Sequence, residues 1–567
     1  MARPPSPAHC ALIAVAVAVT LAPLRAAAET YYVRADGDDA ADGLSDATAW
    51  ATVSRVNQFS FAAGDDVYFR CGDVWTAQAL TIDWSGTDQD PVVVGAYHLA
   101  GGQETVGVNG DGRPLFDGDW VDIDGINKPL IDLRAEHVVV QDMHVYDSYG
   151  IGLRISGGFM YNTIRRCKSD LTGRAAISVY NTSHNVVEHC EASRASIHYT
   201  LGNISTWGST IAVYNAPDNV VRYCEAHDNV GEGINLVRGS HRSVAEYNYV
   251  WANYSVGIYV DSASDCTVRH NLVVGTTDPE YHYIEGWHGM GIAVNNEVTS
   301  HGASNNTTFL GNVVIGRHSG IRFMNAQAMP TSNLRVLNNT LIDNQRNFNI
   351  SIASTYSNVT IRNNISYVSA ADADHGAIHD GDLGTALQSN LWSSEPAAAL
   401  FDGSTDLVAD PLFPKGTGWR ALDGRDAFAT ADFAVPATSP AVDSGVDLGP
   451  DYDDGMTVGT DFHAAPRTVV TVEQGTVGAG WDMGAWIYRE PSAGGAGGAG
   501  GGMPGGTGGT GTGGSDDGGA APAAAPAPTD ADGGCSCRIG RASVPLRTAW
   551  LALVALAGAW LRRRHAG

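Results

Sequence analysis

Lysine is nearly absent from this chain, and basic charge of any kind is scarce. Of the 34 basic residues among 567, three are lysine (Lys128, Lys168 and Lys415) and the others are arginine. The 61 acidic residues give a formal net charge of -27. A protein that binds nucleic acid needs a basic footprint for the phosphates. The composition therefore argues against nucleic acid as a partner.

Cysteine is also sparse. The eight cysteines are too far apart for a disulfide-stapled miniature domain, and their spacing is not that of paired zinc ligands. Several recur in step with the repeat described below, which predicts free structural thiols. They are Cys10, Cys71, Cys167, Cys190, Cys224, Cys266, Cys535 and Cys537.

Long apolar runs are confined to the two ends. Residues 1–28 combine Arg3, an apolar run and three alanines before Glu29, which predicts a cleaved secretory signal rather than a transmembrane anchor. Residues 491–532 are rich in glycine, alanine and proline and predict a flexible linker. Residues 533–567 hold a Gly-Gly-Cys-Ser-Cys motif, an apolar stretch predicted as a transmembrane helix, and three arginines. We expect an exported protein.

Residues 533–567 resemble the MYXO-CTERM sorting tail of myxobacterial surface proteins, in which a cysteine motif, a hydrophobic helix and an arginine cluster follow a linker in this order. The resemblance implies that sorting machinery processes the tail and that the protein is displayed at the cell surface or outer membrane. A simple membrane anchor is the alternative, with an incidental disulfide between Cys535 and Cys537. Both interpretations place the folded region outside the cell.

An internal repeat dominates residues 131–368. An isoleucine that follows a small residue recurs at intervals of 26, 34, 23, 24, 34, 29 and 29 residues. A second column of small or polar residues closes a short strand in each repeat. The first column is Ile151, Ile177, Ile211, Ile234, Ile258, Ile292, Ile321 and a degenerate Ile350, and the second is Cys167, Cys190, Cys224, Asn248, Asn271, Asn312, Asn338 and Asn363.

Columns of this kind are typical of stacked coils, because each side chain then lies about 4.8 Å above its equivalent. Asparagines can hydrogen-bond along such a column, and cysteines can stack as small apolar groups. A repeat of about 24 residues without helical periodicity favours a parallel β-solenoid over a propeller, whose blades need about 40 residues.

The chain resembles the right-handed parallel β-helix proteins of the pectate-lyase-like superfamily. Residues 31–33, 42–45 and 64–69 are similar to the first coils of that family, and residues 439–445 and 481–486 to its closing signature, with Ile487 where glutamate is usual. The resemblance implies an all-β right-handed parallel β-helix. Its N-terminal cap and first coils cover residues 29–130, the repeats 131–368, and the C-terminal coils and closing region 369–490.

A carbohydrate-binding groove is predicted on one face of the solenoid. Residues one and three positions after each inward isoleucine point outward, and over repeats four to seven they are polar or aromatic. Two insertions, around residues 196–209 and 276–290, leave the same corner three coils apart and should stand about 15 Å from each other as walls. Aromatic walls suit the C–H faces of sugars. The substrate-binding candidates are Tyr199, Trp207, Tyr214, Asn235, Arg238, Tyr283, Glu285, Trp287 and Asn295.

The candidates for catalysis lie in the same region. Hydrolysis needs two carboxyl groups about 5 Å or about 6.5 to 9.5 Å apart, which Glu232 with Glu285 could provide, whereas Glu232 and Asp261 should be about 15 Å apart. Elimination needs a cation, such as an arginine, and a base, such as tyrosine or histidine. Arg238 with Asp261 could also be a surface ion pair. The catalytic candidates are Glu232, Tyr259, Asp261, His288 and Arg322.

These features predict a monomer that binds and cleaves polysaccharide by lyase or hydrolase chemistry. The alternative is a non-catalytic adhesin or structural surface protein. No cofactor is called for; calcium is a candidate because of the acidic flanks, although no Asp-rich loop with regular ligand spacing occurs. Residues 131–365 hold 16 basic and 19 acidic side chains, so their net charge is only -3. An anionic polysaccharide is therefore compatible with the repeats.

Overall fold

The computed structural model describes residues 28–200, 208–275, 289–351, 353–379, 386–421 and 429–489. The predicted signal, linker and sorting tail lie outside these residues. The described part is built from β-strands and turns, with two short α-helices, Val53–Asn57 and Ile197–Thr200, and one-turn 3₁₀ helices such as Thr299–His301. Within these ranges, no helix is long and apolar enough to cross a membrane.

Each coil contributes one strand to each of three parallel sheets, so neighbouring strands in a sheet come from successive coils. Sheet 1 contains Thr30–Val33, Asp66–Arg70, Val92–Ala100, Val138–Gln141, Thr163–Arg165, Val186–Glu188, Val220–Arg222, Val244–Glu246, Thr267–Arg269, Thr308–Leu310, Arg335–Leu337, Thr360–Arg362 and Ala386–Gln388, with Gln103–Val106 added antiparallel.

Sheet 2 contains Val74–Thr76, Leu115–Asp117, His144–Ser148, Lys168–Thr172, Glu191–Ser193, Glu225–His227, Tyr249–Trp251, Leu272–Val274, Val313–Ile315, Thr340–Ile342, Ile365–Tyr367, Leu391–Trp392 and Leu407–Val408. Sheet 3 contains Leu80–Ile82, Pro129–Leu133, Ile151–Ile155, Ile177–Tyr180, Ser209–Tyr214, Glu232–Val237, Val256–Asp261, Met290–Asn295, Ser319–Phe323, Arg346–Ile350 and Gly376–Ile378. Two small pairs are added, Thr331–Ser332 with Tyr356–Ser357 and Asp454–Met456 with Thr471–Glu473.

The repeated isoleucines stack on one another inside the solenoid, as predicted, over six coils. At each end the predicted column is wrong by two residues, because Leu153 and Phe348, not Ile151 and Ile350, are in register with it. A shift of two residues keeps a side chain on the same face of a strand, so the sequence pattern alone does not reveal it. The six members in register are Ile177, Ile211, Ile234, Ile258, Ile292 and Ile321.

A ladder of buried asparagines follows the tight turn between sheets 1 and 2. Each side-chain oxygen accepts a hydrogen bond of 2.9–3.1 Å from the backbone N–H of the equivalent residue one coil earlier. Asn338 and Asn363 were predicted in this column, but they occupy the preceding turn position, with positive φ. The ladder consists of Asn248, Asn271, Asn312, Asn339, Asn364 and Asn390.

Three cysteines continue this column towards the N-terminus. Cys167, Cys190 and Cys224 directly precede strands of sheet 2 that are in register. All are buried free thiols, as are Cys71 and Cys266, so the prediction of free structural cysteines is confirmed for the described part of the chain.

Aromatic side chains close the N-terminal end of the solenoid. Tyr31, Trp50, Phe59 and Phe61 pack with ring centroids 4.8–6.2 Å apart. The adjacent helix Val53–Asn57 begins after Thr52, whose hydroxyl accepts from the backbone N–H of Arg55. This cap covers the first open edge of the stacked coils.

The chain that follows the last coils returns along the outer face of sheet 2. Its Trp419, Phe433 and Trp486 form a second hydrophobic core with outward residues of that sheet. Arg467, which is almost fully buried, pairs with Glu225 at 2.9 Å. The returning segment is therefore part of the same folded unit as the coils.

The predicted closing signature has a structural role. One oxygen of Asp482 accepts from the backbone N–H of Asp443 at 2.9 Å, and its other oxygen accepts from Tyr488 at 2.6 Å. Asp443 in turn accepts from the backbone N–H groups of Ala479 and Gly480. These two acids fix the turns of the returning segment.

Asn312→Ala is expected to lower the unfolding free energy by about 1–3 kcal/mol, because it leaves buried backbone groups without partners. The side chain of Asn312 accepts a hydrogen bond from the backbone N–H of Asn271 and donates one to the carbonyl of Val268. Urea unfolding of the mature protein, followed by far-UV circular dichroism, measures the shift. The control is Asn109→Ala, which removes a side-chain hydrogen bond to Asp111 in an exposed turn. Equal midpoints for the two variants would contradict a stabilising ladder.

Candidate functional site

The outward columns of sheet 3 lie as the alternation predicts. Asn235, Tyr259, Ala293 and Arg322 are successive register partners in one column. Tyr214, Val237, Asp261 and Asn295 are partners in the other. The site is therefore built on strands whose register the stacked coils fix.

The prediction that these columns form an open surface is wrong at their centre. Tyr259 and Asp261 are 0% exposed, and Asn235 and Asn295 are at most 3% exposed. Tyr259 belongs to an apolar cluster with Val256 and Met290 on the outer side of the sheet. The polar groups of the face are thus set into an apolar patch, where hydrogen bonds and charges interact more strongly than in water.

Glu297 is the residue that the sequence reasoning missed. Its Oε1 accepts a hydrogen bond from the Tyr259 hydroxyl at 2.8 Å and from Asn295 Nδ2 at 3.1 Å. Asn295 Nδ2 also donates to the Tyr259 oxygen at 2.8 Å. Glu297 is half-buried, so this triangle holds a carboxyl group at the edge of the buried patch.

A sequence signal for Glu297 does exist. Asn295 lies three positions after Ile292, and Glu297 lies five positions after it, which is the next position of the same alternation in the sequence although the strand itself ends at Asn295. The prediction considered only the first and third positions after each isoleucine and therefore did not include Glu297.

Asp261 lies directly beside Glu297. Its Oδ1 accepts from the backbone N–H of Glu297 at 2.7 Å and from the Ser262 hydroxyl at 2.9 Å. Its Oδ2 is buried and has no hydrogen-bond partner in the described part of the chain. Burial raises the pKa of Asp261 above its ordinary value.

Burial, and then the nearby charge of Asp261, raise the pKa of Glu297 from 4.5 to about 7. The hydrogen bond from Tyr259 and the positive charge of Arg238 act in the opposite direction but do not cancel this effect. Glu297 therefore changes protonation state near neutral pH.

Arg238 does not form the surface ion pair with Asp261 that the sequence allowed. Its guanidinium lies 5.2 Å from the centroid of the Tyr214 ring, and its Nη1 donates to the Tyr214 hydroxyl at 2.8 Å. Tyr214 stacks on Tyr180, with ring centroids 5.4 Å apart. The three side chains form a partly exposed rim next to the Glu297 cluster.

Glu232 belongs to a different polar cluster. It is fully buried and accepts from the Ser209 hydroxyl at 3.1 Å, while Asn235 Nδ2 donates to the same hydroxyl. Val237, five residues further along, is the register partner of Asp261. The strand register thus keeps Glu232 away from Asp261, as expected. The side chain of Asn235, although in register with Tyr259, hydrogen-bonds to Ser209 in the Glu232 cluster.

Arg322 lies two strands beyond Tyr259, which corresponds to about 10 Å between equivalent positions. The intervening residue is Ala293. The Nη1 atom of Arg322 approaches the Met290 sulfur at 3.4 Å. Arg322 therefore borders the same apolar patch from the C-terminal side.

The remaining candidates are only partly described. Tyr199 lies in the helix Ile197–Thr200 at the base of the first insertion, where burial raises its pKa. Within the described residues, no group of three or more His, Cys, Asp and Glu side chains could hold a metal ion. Trp207, Tyr283, Glu285, Trp287 and His288 lie outside the described residues.

Comparison with known proteins identifies the architecture. Residues 107–273 match the family model of the right handed beta helix region. The fold is a right-handed parallel β-helix. No curated protein matches the chain.

Among solved structures, a pectate lyase, Pel9A, is 15% identical, with a TM-score of 0.47 over 81% of this chain and 96% of that chain. A lacto-N-biosidase from Eubacterium ramulus is 14% identical, with a TM-score of 0.41 over 67% of this chain and 68% of that chain. A rhamnogalacturonan lyase is 13% identical, with a TM-score of 0.40 over 72% of this chain and 95% of that chain. These likenesses are weak, and the chemistry of the site follows from its own residues.

Glu297→Gln is expected to stabilise the protein at pH 8 but not at pH 4. Because the folded-state pKa is raised from 4.5 to about 7, the native state binds the extra proton and loses stability as the pH rises through this window. Glutamine keeps the acceptor for Tyr259 and cannot ionise. The difference at pH 8 should be about 3 kcal/mol, since the pKa rises from 4.5 to about 7 and each pKa unit corresponds to about 1.4 kcal/mol.

Urea unfolding of both proteins at pH 4, 6 and 8 measures this difference. Glu395→Gln, at an exposed glutamate, is the control and should change stability equally at all three values. A Glu297→Gln effect that does not vary with pH would contradict the raised pKa.

Proposed function

We propose that this protein binds a polysaccharide over the outer face of sheet 3 and cleaves its glycosidic bonds, with Glu297 as the group that moves the proton. One observation carries the proposal: a half-buried carboxyl group with a pKa of about 7 lies at the edge of a buried polar cluster. Tyr259 and Asn295 fix its orientation. Acid–base catalysts work best when their pKa is near the working pH.

Hydrolysis uses Glu297 in its protonated form. The carboxyl group gives its proton to the departing glycosidic oxygen, and water supplies a hydroxyl to the anomeric carbon and returns a proton. Asp261 is fully buried and so acts through Glu297, because its charge helps to keep the neighbouring carboxyl protonated near pH 7. The nearby charge of Asp261 thus favours the form of Glu297 that hydrolysis needs.

Elimination is a second candidate, because guanidinium groups lie on both sides of the cluster. Arg238 or Arg322 would neutralise the carboxylate of a uronate, and ionised Glu297 would remove the proton from the carbon that bears it. A C=C bond then forms to the next carbon as the bond from that carbon to the glycosidic oxygen breaks, and protonated Glu297 or water gives the departing oxygen its proton. The two reactions need opposite forms of Glu297. Their rates should therefore change in opposite directions as the pH rises through about 7.

The rim beside the cluster supports carbohydrate as the ligand class. Tyr180 is 37% exposed and stacks on the half-buried Tyr214. Tyrosine rings pack against the C–H faces of sugars and offer a hydroxyl to their polar edges. We assign this pair, with Arg238, to substrate binding next to Glu297.

Glu297→Gln is expected to lower the cleavage rate by about 10²–10⁴-fold, the usual contribution of a positioned acid or base. The mature protein is incubated with neutral and acidic polysaccharides, and both new reducing ends and the absorbance of unsaturated uronate are measured. Glu395→Gln is the control and should keep full activity. Reducing ends without unsaturated product indicate hydrolysis.

The pH profile of the same assay sharpens the assignment. Asp261→Asn should move the midpoint near pH 7 to lower pH, because it removes the charge that raises the Glu297 pKa. Tyr214→Ala should raise KM and leave the midpoint in place. If neither assay detects product while the protein still binds glycan, the proposed enzymatic activity is contradicted and a non-catalytic adhesin is favoured.

We also propose that the protein is exported by residues 1–28 and displayed at the cell surface through residues 533–567. The proposal is supported by the sequence, in which a signal, a linker, a cysteine motif, an apolar stretch and an arginine cluster follow one another in this order. Mass spectrometry of the cell-surface protein should find a mature N-terminus near Glu29. A mature chain that retains residue 1 would contradict the cleaved signal.

A further inference from the structure

A fully buried arginine lies at the corner between sheets 2 and 3. Arg317 is 0% exposed and, within the described residues, pairs with no carboxylate. Its guanidinium donates only to backbone carbonyls: those of Met290 at 2.9 and 3.2 Å, Asn253 at 3.0 Å, Val274 at 3.3 Å and Ser255 at 3.5 Å. A single side chain therefore connects its own coil to the two preceding coils.

Burial lowers the pKa of Arg317 from its ordinary value. A well-packed apolar side chain of similar volume often stabilises a protein as much as a buried charge, or more. The charge alone thus gives no reason for a guanidinium at this corner. The carbonyls that it holds do give one.

The strongest contacts of Arg317 are with Met290, the first residue of a sheet 3 strand. Both Nε and Nη2 donate to its carbonyl. The Met290 side chain packs with Val256 and Tyr259 in the apolar patch, and its sulfur is approached by Arg322. A shift of Met290 would therefore move the supports of both Tyr259 and Arg322.

Gly289, next to Met290, leaves the space that the Arg317 guanidinium occupies. Gly289 has a φ of +65°, and a Cβ added there would lie 2.5 Å from Arg317 Nη2, 2.5 Å from the Ser255 carbonyl oxygen and 2.6 Å from the Tyr254 carbonyl oxygen. A substitution at Gly289 therefore displaces the guanidinium together with the backbone carbonyls beside it.

We propose that Arg317 is a positioning residue for the reaction: it fixes the start of the strand Met290–Asn295 and, through Met290, the place of Tyr259, which holds Glu297. This rests on the proposed function. Arg317 does not touch the substrate or Glu297, and its effect is on geometry. Misplacement of catalytic groups by a fraction of an ångström to about 1 Å can cost about 10²-fold in rate.

Arg317→Lys is expected to lower kcat by about 10- to 100-fold, with KM changed by less than about threefold. Lysine keeps the charge but cannot reach four carbonyls with a planar fork. The pH midpoint set by Glu297 should remain near 7. Gly289→Ala should give the same kcat loss, and the double variant should lose less than the product of the two single effects.

A matched control separates positioning from general destabilisation. Val187→Ala removes two buried methyl groups from the core at sheet 1, away from the site, and should lower Tm comparably while kcat stays near the wild-type value. If Arg317→Lys keeps wild-type kcat, or loses no more than Val187→Ala at equal Tm, the positioning role is overturned while an inactive Glu297→Gln still supports the proposed function. If the wild-type protein cleaves no glycan, both proposals fall.

Discussion

The stacking of one coil directly on the next is the constraint on which the rest of the structure depends. Parallel hydrogen bonding places each residue above its equivalent, and the buried asparagines lock this register at the tight turn, where a slip would leave polar groups unpaired. The isoleucine column then fills the interior without adjustment from coil to coil. Every outward column, including the one that carries Tyr259, inherits its alignment from these contacts.

Much of this architecture could be predicted from the sequence, because it repeats. The isoleucine and asparagine columns are periodic signals, and each coil confirms the next. The errors arose where the repeat offers two equivalent choices. Ile151 and Leu153 lie two residues apart on one strand and therefore point to the same side of it. Asn338 and Asn339 are adjacent asparagines, of which only the second belongs to the ladder.

The candidate site was less predictable, because it depends on what covers the sheet. Alternation correctly places Tyr259 and Asp261 on the outer face, but it does not show that an apolar patch buries them. Glu297 follows the strand, outside the repeating pattern, and gains its chemistry from the local contacts with Tyr259, Asn295 and Asp261. Burial turns an ordinary glutamate into a group that titrates near neutrality, and no single residue type encodes that effect.

The returning C-terminal segment changes how the solenoid should come apart. In a bare solenoid each coil contacts only its neighbours, so the ends can fray one coil at a time. Here Arg467 reaches Glu225, whereas the backbone of Ala485 and Gly484 is held by Thr340 and Asn363, several coils further on. Because of these long-range contacts, coils that are far apart should unfold together. The returning segment thus converts a row of units that contact only their neighbours into one cooperative unfolding unit.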